Sequence, residues 1–405
     1  VSSSSRWPRS DSGSGSAGAE VAARATVSEA RLVELTRAMI QRDTTNPPGD
    51  ESPVVGLLTE VMAELGCQTE HFESEPRRAS VLASAGDRDG SRPVLLINGH
   101  IDVVPARPQE WSVPPFAGVV KDGRVIGRGA CDMKGGIAAA IEGLRACRDA
   151  GVRPAADIVF HLVADEETGG QHGTAALLRA GRIQADACVV PEPNELSIGV
   201  AERGALLAEI EVFGRAGHGS DPAAVRSAVY DAAAITRALH CADFGDPEHP
   251  MLGRPTCNVG VIRGGTAPNI VASQCDLSID RRTLPGQTSS QVLDSVRDVI
   301  DSLGDIDYRM TPTVFVSGSE IATDHPFVSY LLDACGRAAA TEVRGSMLST
   351  DARFMRNDLR IPTVVYGPGS MRHAHTADES VGVDELCTAA RAFATIFATF
   401  DGQSM

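Results

Sequence analysis

In the stretch HLVADEETGG, Asp165, Glu166 and Glu167 follow directly on the apolar Leu162, Val163 and Ala164. Three adjacent carboxylates at the end of a buried strand repel one another and resist leaving water, so they call for positive charge close by. A solvated acidic loop would remove the difficulty, but Gly169 and Gly170 predict a tight and partly enclosed turn. Other residues with chemical potential stand in similar places. His100, in INGHIDVVP, sits at the end of an apolar run. Asp102, two residues on, can bond one imidazole nitrogen and leave the other for a metal, although an isolated His-x-Asp also caps strand ends. Asp132, in GRGACDMKGG, precedes a helix. It reads as an ordinary N-cap or as a carboxylate whose two oxygens bridge two cations. Glu192 lies between two prolines in VVPEPN, and YGPGSMRHAHTADE supplies Gly367 in a Gly-Pro-Gly turn, then His373 and His375. Two imidazoles, several carboxylates and no thiolate suit a pair of borderline divalent ions: zinc, with cobalt and manganese as alternatives. Such a pair would neutralise the crowded acids.

These residues can cooperate only if the elements bring them to one place. PVLLING (93–99), ADIVFHLVA and ADACVVPEP are continuous apolar runs of the kind found in buried parallel strands. The Gly/Ala-rich segment 132–151 reads as a helix, as do 51–65, 171–180 and 325–339 and a last one at 383–400. VSEARLVELTRAMIQRD is helical in its spacing, with Ser28 as N-cap. Strands alternating with helices indicate an α/β sheet, and a parallel one would put His100, Asp132, Glu166, Glu167, Glu192 and His375 along a single edge. From about residue 203 the pattern changes to half-exposed strands. The order is a strand beginning near 204, helix 222–241, strands 256–263 and 270–281, helix 288–303 and strand 305–316. That is β-α-β-β-α-β, the split ferredoxin-like unit. The expected layout is a larger α/β domain in two parts, 27–202 and 317–405, around a small inserted α+β domain at 203–316.

Composition narrows the function classes. A chain of 405 residues with 42% hydrophobic content has room for two cores. The formal net charge of -16, with no long basic run, argues against nucleic acid as a partner. Of 37 basic residues only Lys121 and Lys134 are lysines, which makes Lys134 beside Asp132 conspicuous. Nine cysteines without a C-x-x-C pair read as reduced thiols of a cytoplasmic protein. No apolar run approaches the roughly 20 residues of a membrane span. The Ser/Gly-rich leader lacks the apolar segment of a secretory signal, and residues 1–26 are expected to be disordered.

GHIDVVP, GRGACDMKGG, DEETGG, EP, AGHGSDP and AHTADE, in this order, resemble the zinc-dependent metallohydrolase family of acetylornithine deacetylase, succinyl-diaminopimelate desuccinylase, aminoacylase and carboxypeptidase G. The likeness runs from about Thr44 to Glu385; a departure is Ala377, where relatives often carry proline. The resemblance implies that His100 and Glu192 ligate one zinc, Glu167 and His375 the other, and that Asp132 bridges both. It makes Asp102 the orienter of His100, Glu166 the general base, and His375 rather than His373 the ligand. It also implies that the two-part domain is catalytic and the inserted one a lid, a cis peptide at Asp132–Met133, and a homodimer joined through the lid. His218 of that lid would reach a neighbouring subunit's site and hold the oxyanion. Arg282, Asn269 and Gly367 match substrate contacts, and strand alternation turns Arg281 to the face opposite Arg282.

The implied reaction removes an acetyl- or succinyl-type group from a small N-acyl amino acid, with Glu166 acting on a metal-bridging water. Two alternatives remain at this level. One is an exopeptidase of the same fold cutting short peptides. The other is a non-catalytic homologue that binds metal or ligand. STDARF (349–354) and the GPGSMRHAHTADE segment look closer to the deacetylase and desuccinylase branch.

Overall fold

A computed structural model describes residues 16–403. The apolar runs form four parallel strands lying in the order Asp157–Val163, Val94–His100, Ala187–Val190, Thr363–Val365. Their residues are buried almost throughout, which is why they read as continuous rather than alternating. Antiparallel strands extend the sheet: Ala79–Ala85 and then Gln68–Glu73 on one side, Ile198–Glu202 on the other. With Ser319–Glu320 and Val343–Ser346, which both pair with Ile198–Glu202, the result is a mixed sheet of nine strands among the described residues. All four parallel strands finish at one edge, the place where α/β sheets collect ligand sites.

The helix Lys134–Asp149 links the strand Val94–His100 to Asp157–Val163 and buries Ile137, Ile141 and Leu144. Its small residues permit close approach: a Cβ on Gly136 would lie 1.9 Å from the Pro191 carbonyl oxygen. This contact sets the first turn of the helix, and with it Asp132, against the segment that carries Glu192. The helix Val383–Thr399 buries Phe393 and Phe397. The Phe397 ring stands edge-on to Phe160 of the central sheet, with centroids 6.2 Å apart. Lys134 is fully buried and donates to the carbonyls of Met39 (3.1 Å) and Arg42 (3.0 Å), so it fastens the end of the helix Glu29–Ile40. Burial pushes its ammonium down to about 8.

The expectation of a disordered leader is corrected at its end. Ser16–Ala25 is a helix that fully buries Ala23 and ion-pairs Glu20 with Arg337. Thr26 closes it by bonding the carbonyls of Ala23 and Ala146. The alanines and well-placed acid of this stretch make a helix once a partner surface is present, a tertiary effect that Ser/Gly composition upstream obscures. The earlier part of the leader lies outside the described residues.

The chain divides into two compact units. The first takes in the described residues through Val200, Ile321–Arg344 and the described residues from Thr350 onward. The second is Ala201–Glu320 together with Gly345–Ser349. Its antiparallel sheet runs Thr256–Gly264, Gln274–Thr283, Gly204–Phe213, Tyr308–Val316. With the helices Ala228–Leu239 and Ser289–Asp301 this is the ferredoxin-like arrangement. Ile210, Ile235, Leu277, Val296 and Ile300 lie in its core. The strand read from sequence as 270–281 is broken. Ile270–Val271 pairs with Gly217–His218, and the long strand starts only at Gln274. Between them, the carbonyls of Ala272 and Ser273 accept from the amides of Ala228 and Gly214, which takes this backbone out of the ladder. Among the described residues no helix is long and apolar enough to cross a membrane.

Candidate metal centre and active site

Asp132 is buried just before the helix Lys134–Asp149, and the peptide that follows it, Asp132–Met133, is cis. Its two oxygens serve different imidazoles. Oδ1 lies 3.0 Å from His100 Nε2, and Oδ2 lies 3.2 Å from His375 Nε2. Each imidazole faces a second carboxylate: His100 Nε2 is 3.3 Å from Glu192 Oε1, and His375 Nε2 is 3.1 Å from Glu167 Oε2. The N-cap position of the helix is Met133, so Asp132 stands outside it and turns to the imidazoles instead. Behind it, Glu379 accepts from the amides of Cys131 (2.9 Å) and Asp132 (3.0 Å), and its other oxygen takes a 2.6 Å bond from the buried Arg128.

His100 ends the strand Val94–His100, and the parallel neighbours deliver the rest. The turn with Glu166 and Glu167 follows Asp157–Val163, Glu192 follows Ala187–Val190, and Gly367 follows Thr363–Val365. A Cβ on Gly367 would come within 2.5 Å of the carbonyl oxygens of Pro191 and Glu192, so its bareness lets the two segments touch. His375 adopts a left-handed backbone, φ 60°, that turns its ring to Asp132. His373 goes elsewhere; its Nδ1 is 3.4 Å from Arg124.

The acidic turn is divided by function. Asp165, with φ 72°, turns its carboxylate to Arg78 (2.8 Å), Asn46 (3.2 Å), Thr168 (2.5 Å) and the His172 amide (2.9 Å). A protein cation thus answers one of the three acids. Asp102 is fully buried, and its carboxylate accepts from the amides of Glu166 (3.1 Å) and Glu167 (3.3 Å) and from Asn46 (2.8 Å). The closer partner of His100 Nδ1 is the Asp102 carbonyl at 3.0 Å; the carboxylate oxygen lies at 3.5 Å. The Glu166 carboxylate is 3.6 Å from Arg353, which bonds the carbonyls of Thr350 and Gly169.

Burial, with the charges of Asp351 and Glu192, holds Glu166 well above the ordinary carboxylate value. Burial and the neighbouring Asp132 push Glu192 up to about 8, and burial also raises Glu167. Hydrogen bonds to Asp132 and Glu167 lift His375 to about 10. Burial opposes the same rise at His100, but the Glu192 charge and bonds to Asp102, Asp132 and Glu192 outweigh it. Asp132, between two imidazoles, is held below its usual range despite burial.

The donor set fits divalent cations. Glu167 Oε1 is buried with no hydrogen-bond partner, an expensive state for a carboxylate unless an ion satisfies it. His100, Glu166 and Glu192, and separately His100, Asp132 and Glu167, bring ligand atoms within 4.8 Å of one another. Nitrogen and oxygen donors without sulfur suit zinc, cobalt or manganese. The nearby Cys131 has its thiol on the Ser370 carbonyl, at 3.4 Å.

His218, Asn269 and Arg282 belong to the second unit. His218 pairs with Ile270, beside Asn269, and its Nδ1 meets the Ser220 hydroxyl at 2.7 Å. Arg282 is partly exposed and 2.9 Å from Asp280. Arg281 points the other way, fully buried over the Phe244 ring and 2.9 Å from Asp246. Asn46, Arg78, Glu379 and Arg353 were not singled out from the sequence. Of these, Glu379 and Arg353 carried a signal, the former as the last residue of HTADE and the latter within STDARF.

The model of the family described as peptidase family M20/M25/M40 matches residues 96–399. Over 350 residues the chain is 31% identical to the acetylornithine deacetylase of Aliivibrio fischeri, covering 83% of this chain and 89% of that one. Aminopeptidase PepT from Bacillus cereus shares the fold, with a TM-score of 0.77 at 20% identity over 92% of this chain and 99% of that one. So does the Bacillus subtilis YXEP protein, described as a dinuclear metal binding peptidase, with a TM-score of 0.69 at 17% identity over 92% and 98% of the two chains. By the extent of the family match and the identity to the deacetylase, the chain belongs to the M20/M25/M40 peptidase family and is an amide-hydrolysing enzyme.

Proposed function

We propose that the chain removes a small acyl group, acetyl or succinyl in type, from an N-acyl amino acid. His100 and Glu192 would hold one divalent cation, Glu167 and His375 a second, with Asp132 shared. The observation that carries this reading is the placement of the two Asp132 oxygens, each 3.0–3.2 Å from a different imidazole that also faces a second acid. Similarity to an acetylornithine deacetylase favours deacylation over peptide cleavage. When bound, zinc ions supply a Lewis acid and an acidified water.

The protein's own part is to position groups and move a proton. Glu166 takes the proton of the attacking water and returns it to the departing amine nitrogen, a task helped by its raised proton affinity. Asp102 fixes the amides of Glu166 and Glu167, so the proton carrier and the adjacent ligand keep separate jobs. Arg282 and Asn269 hold the substrate carboxylate, the former by a forked pair of bonds, and Gly367 leaves room beside Glu192. His218 of a second subunit donates to the oxyanion. This requires a homodimer built through the 201–320 unit, and the cytoplasm as the working compartment completes the proposal.

The test is metal analysis followed by a substrate panel of N-acetylornithine, N-succinyl-diaminopimelate and dipeptides. The reading expects two divalent ions per chain and turnover of an acylated amino acid. Turnover of dipeptides alone would move the assignment to an exopeptidase, and a metal-loaded protein inert to every substrate would make it a binding homologue.

A further inference from the structure

Glu166 has little to hold its side chain in place: the arginine that pairs with its carboxylate, Arg353, stands 3.6 Å away, beyond hydrogen-bond reach. Its position is therefore inherited from the backbone of the turn. That backbone is held through two buried carboxylates, Asp102 under the amides of Glu166 and Glu167 and Asp165 immediately before them. One group joins the two carboxylates: the Asn46 side-chain amide lies 2.8 Å from Asp102, 3.2 Å from Asp165 and 3.1 Å from the Thr168 hydroxyl. One cation is bonded to the second of them, Asp165. Arg78 is buried and forks onto Glu51 with bonds of 3.1 and 2.9 Å, and the same guanidinium reaches Asp165 at 2.8 Å. Glu51 is fully buried, so Arg78 cannot swing to solvent without stranding it. The chain also makes room for the guanidinium. Gly49, at φ +85°, would place a Cβ 2.5 Å from its Cζ.

We propose that Arg78, seated on Glu51 and linked through Asp165 and Asn46, is a positioning residue for Glu166: it sets the turn that aims the general base. The inference rests on the reading of Glu166 given above. A planar fork suits this task because three bonds leave one rigid group at fixed angles, which a lysine ammonium cannot reproduce. Arg78 touches no metal ligand and makes no contact with the reacting atoms.

The experiment compares Arg78→Lys, Glu51→Gln and Glu166→Gln in the metal-loaded full chain. It reads kcat, KM, metal per chain and amide hydrogen exchange at Glu166 and Glu167. Arg78→Lys should lower kcat by about 10- to 100-fold, the scale of a small misplacement of a reacting group. KM should stay within about threefold, since ground-state binding is untouched. Metal content should remain at the wild-type level, and both amides should exchange faster. Glu51→Gln keeps the shape of the seat and should give a smaller loss of the same kind, not additive with Arg78→Lys. Should Arg78→Lys fail to fold, Glu51→Gln decides alone. Unchanged kcat in the folded variants, or a loss of kcat that merely follows loss of metal, overturns the proposal. Full activity in Glu166→Gln would instead remove the reading on which it rests.

Discussion

Asp132 has one carboxylate to place between two imidazoles, and its direction is set from behind by Glu379 and Arg128. Groups in this supporting position typically govern metal affinity by 10–100-fold. Glu379→Ala should therefore weaken binding of the more loosely held ion by about that factor, measured by competition with a chelator; unchanged affinity would reduce Glu379 to a loop anchor. Glu166→Gln should keep the wild-type metal content and lose at least about 10²-fold in kcat, as steady-state rates on the best substrate of the panel will show. Away from the centre, His161 is buried and held neutral, its value pushed down to about 3 by burial and by Arg88 and Arg182. An unfolded chain protonates this ring near its ordinary 6.5, whereas the folded one does not until about 3. The stability it permits is whole above pH 6.5 and falls as pH drops through that window, at about 1.4 kcal/mol per unit. Urea unfolding at pH 7 and pH 5 should show a smaller difference for His161→Gln than for the wild type; equal differences would mean the ring titrates normally. Of the proposed ligands, His100, Glu167 and Glu192 were readable as ionisable residues after apolar runs and Asp132 as one before a helix, whereas His375 was set apart from His373 only by the resemblance. Arg78 and Asn46 were not readable, because their roles are defined by Asp165, 87 and 119 positions away.

At the level of elements, the four parallel strands were legible as apolar runs because burial on both faces leaves no polar alternation to hide them. The order of those strands was not legible, since neighbours such as Ala187–Val190 and Thr363–Val365 are separated by the whole second unit. The early helix Ser16–Ala25 and the break at 272–273 also depend on tertiary partners. The contact of the helix Lys134–Asp149 with Pro191 is the most demanding element-scale feature. Gly136→Ala would force a methyl against a carbonyl oxygen that cannot yield without moving Glu192. Overpacking of this kind costs about 1–3 kcal/mol. A lower unfolding midpoint together with weakened metal binding is expected; loss of stability alone would show that the Glu192 segment adjusts independently of Asp132.

For the whole molecule, the proposed sharing of His218 between subunits makes a prediction that no single chain can satisfy. His218→Ala and Glu166→Gln should each be nearly inactive, yet a mixture of the two refolded or exchanged together should recover turnover. In the mixed dimer one site has both an intact Glu166 and a His218 from its neighbour. Mixtures no more active than their components would place His218 outside the reaction or within its own chain. The existence of a second unit could be seen in the change of strand pattern near residue 203. Its return at Gly345–Ser349 could not, because five residues carry no periodicity of their own.

That short return has a consequence for exchange of parts between homologues. The backbone crosses the boundary between the two units at 200/201, 320/321, 344/345 and 349/350, so the smaller unit is sewn in by two loops of chain. Gly345 belongs to it by fit, since a methyl there would meet the Met251 carbonyl oxygen at 2.7 Å. A graft that transplants 201–320 from a relative while keeping the recipient's 345–349 would marry two unmatched surfaces. Functional hybrids should require both segments from the same donor.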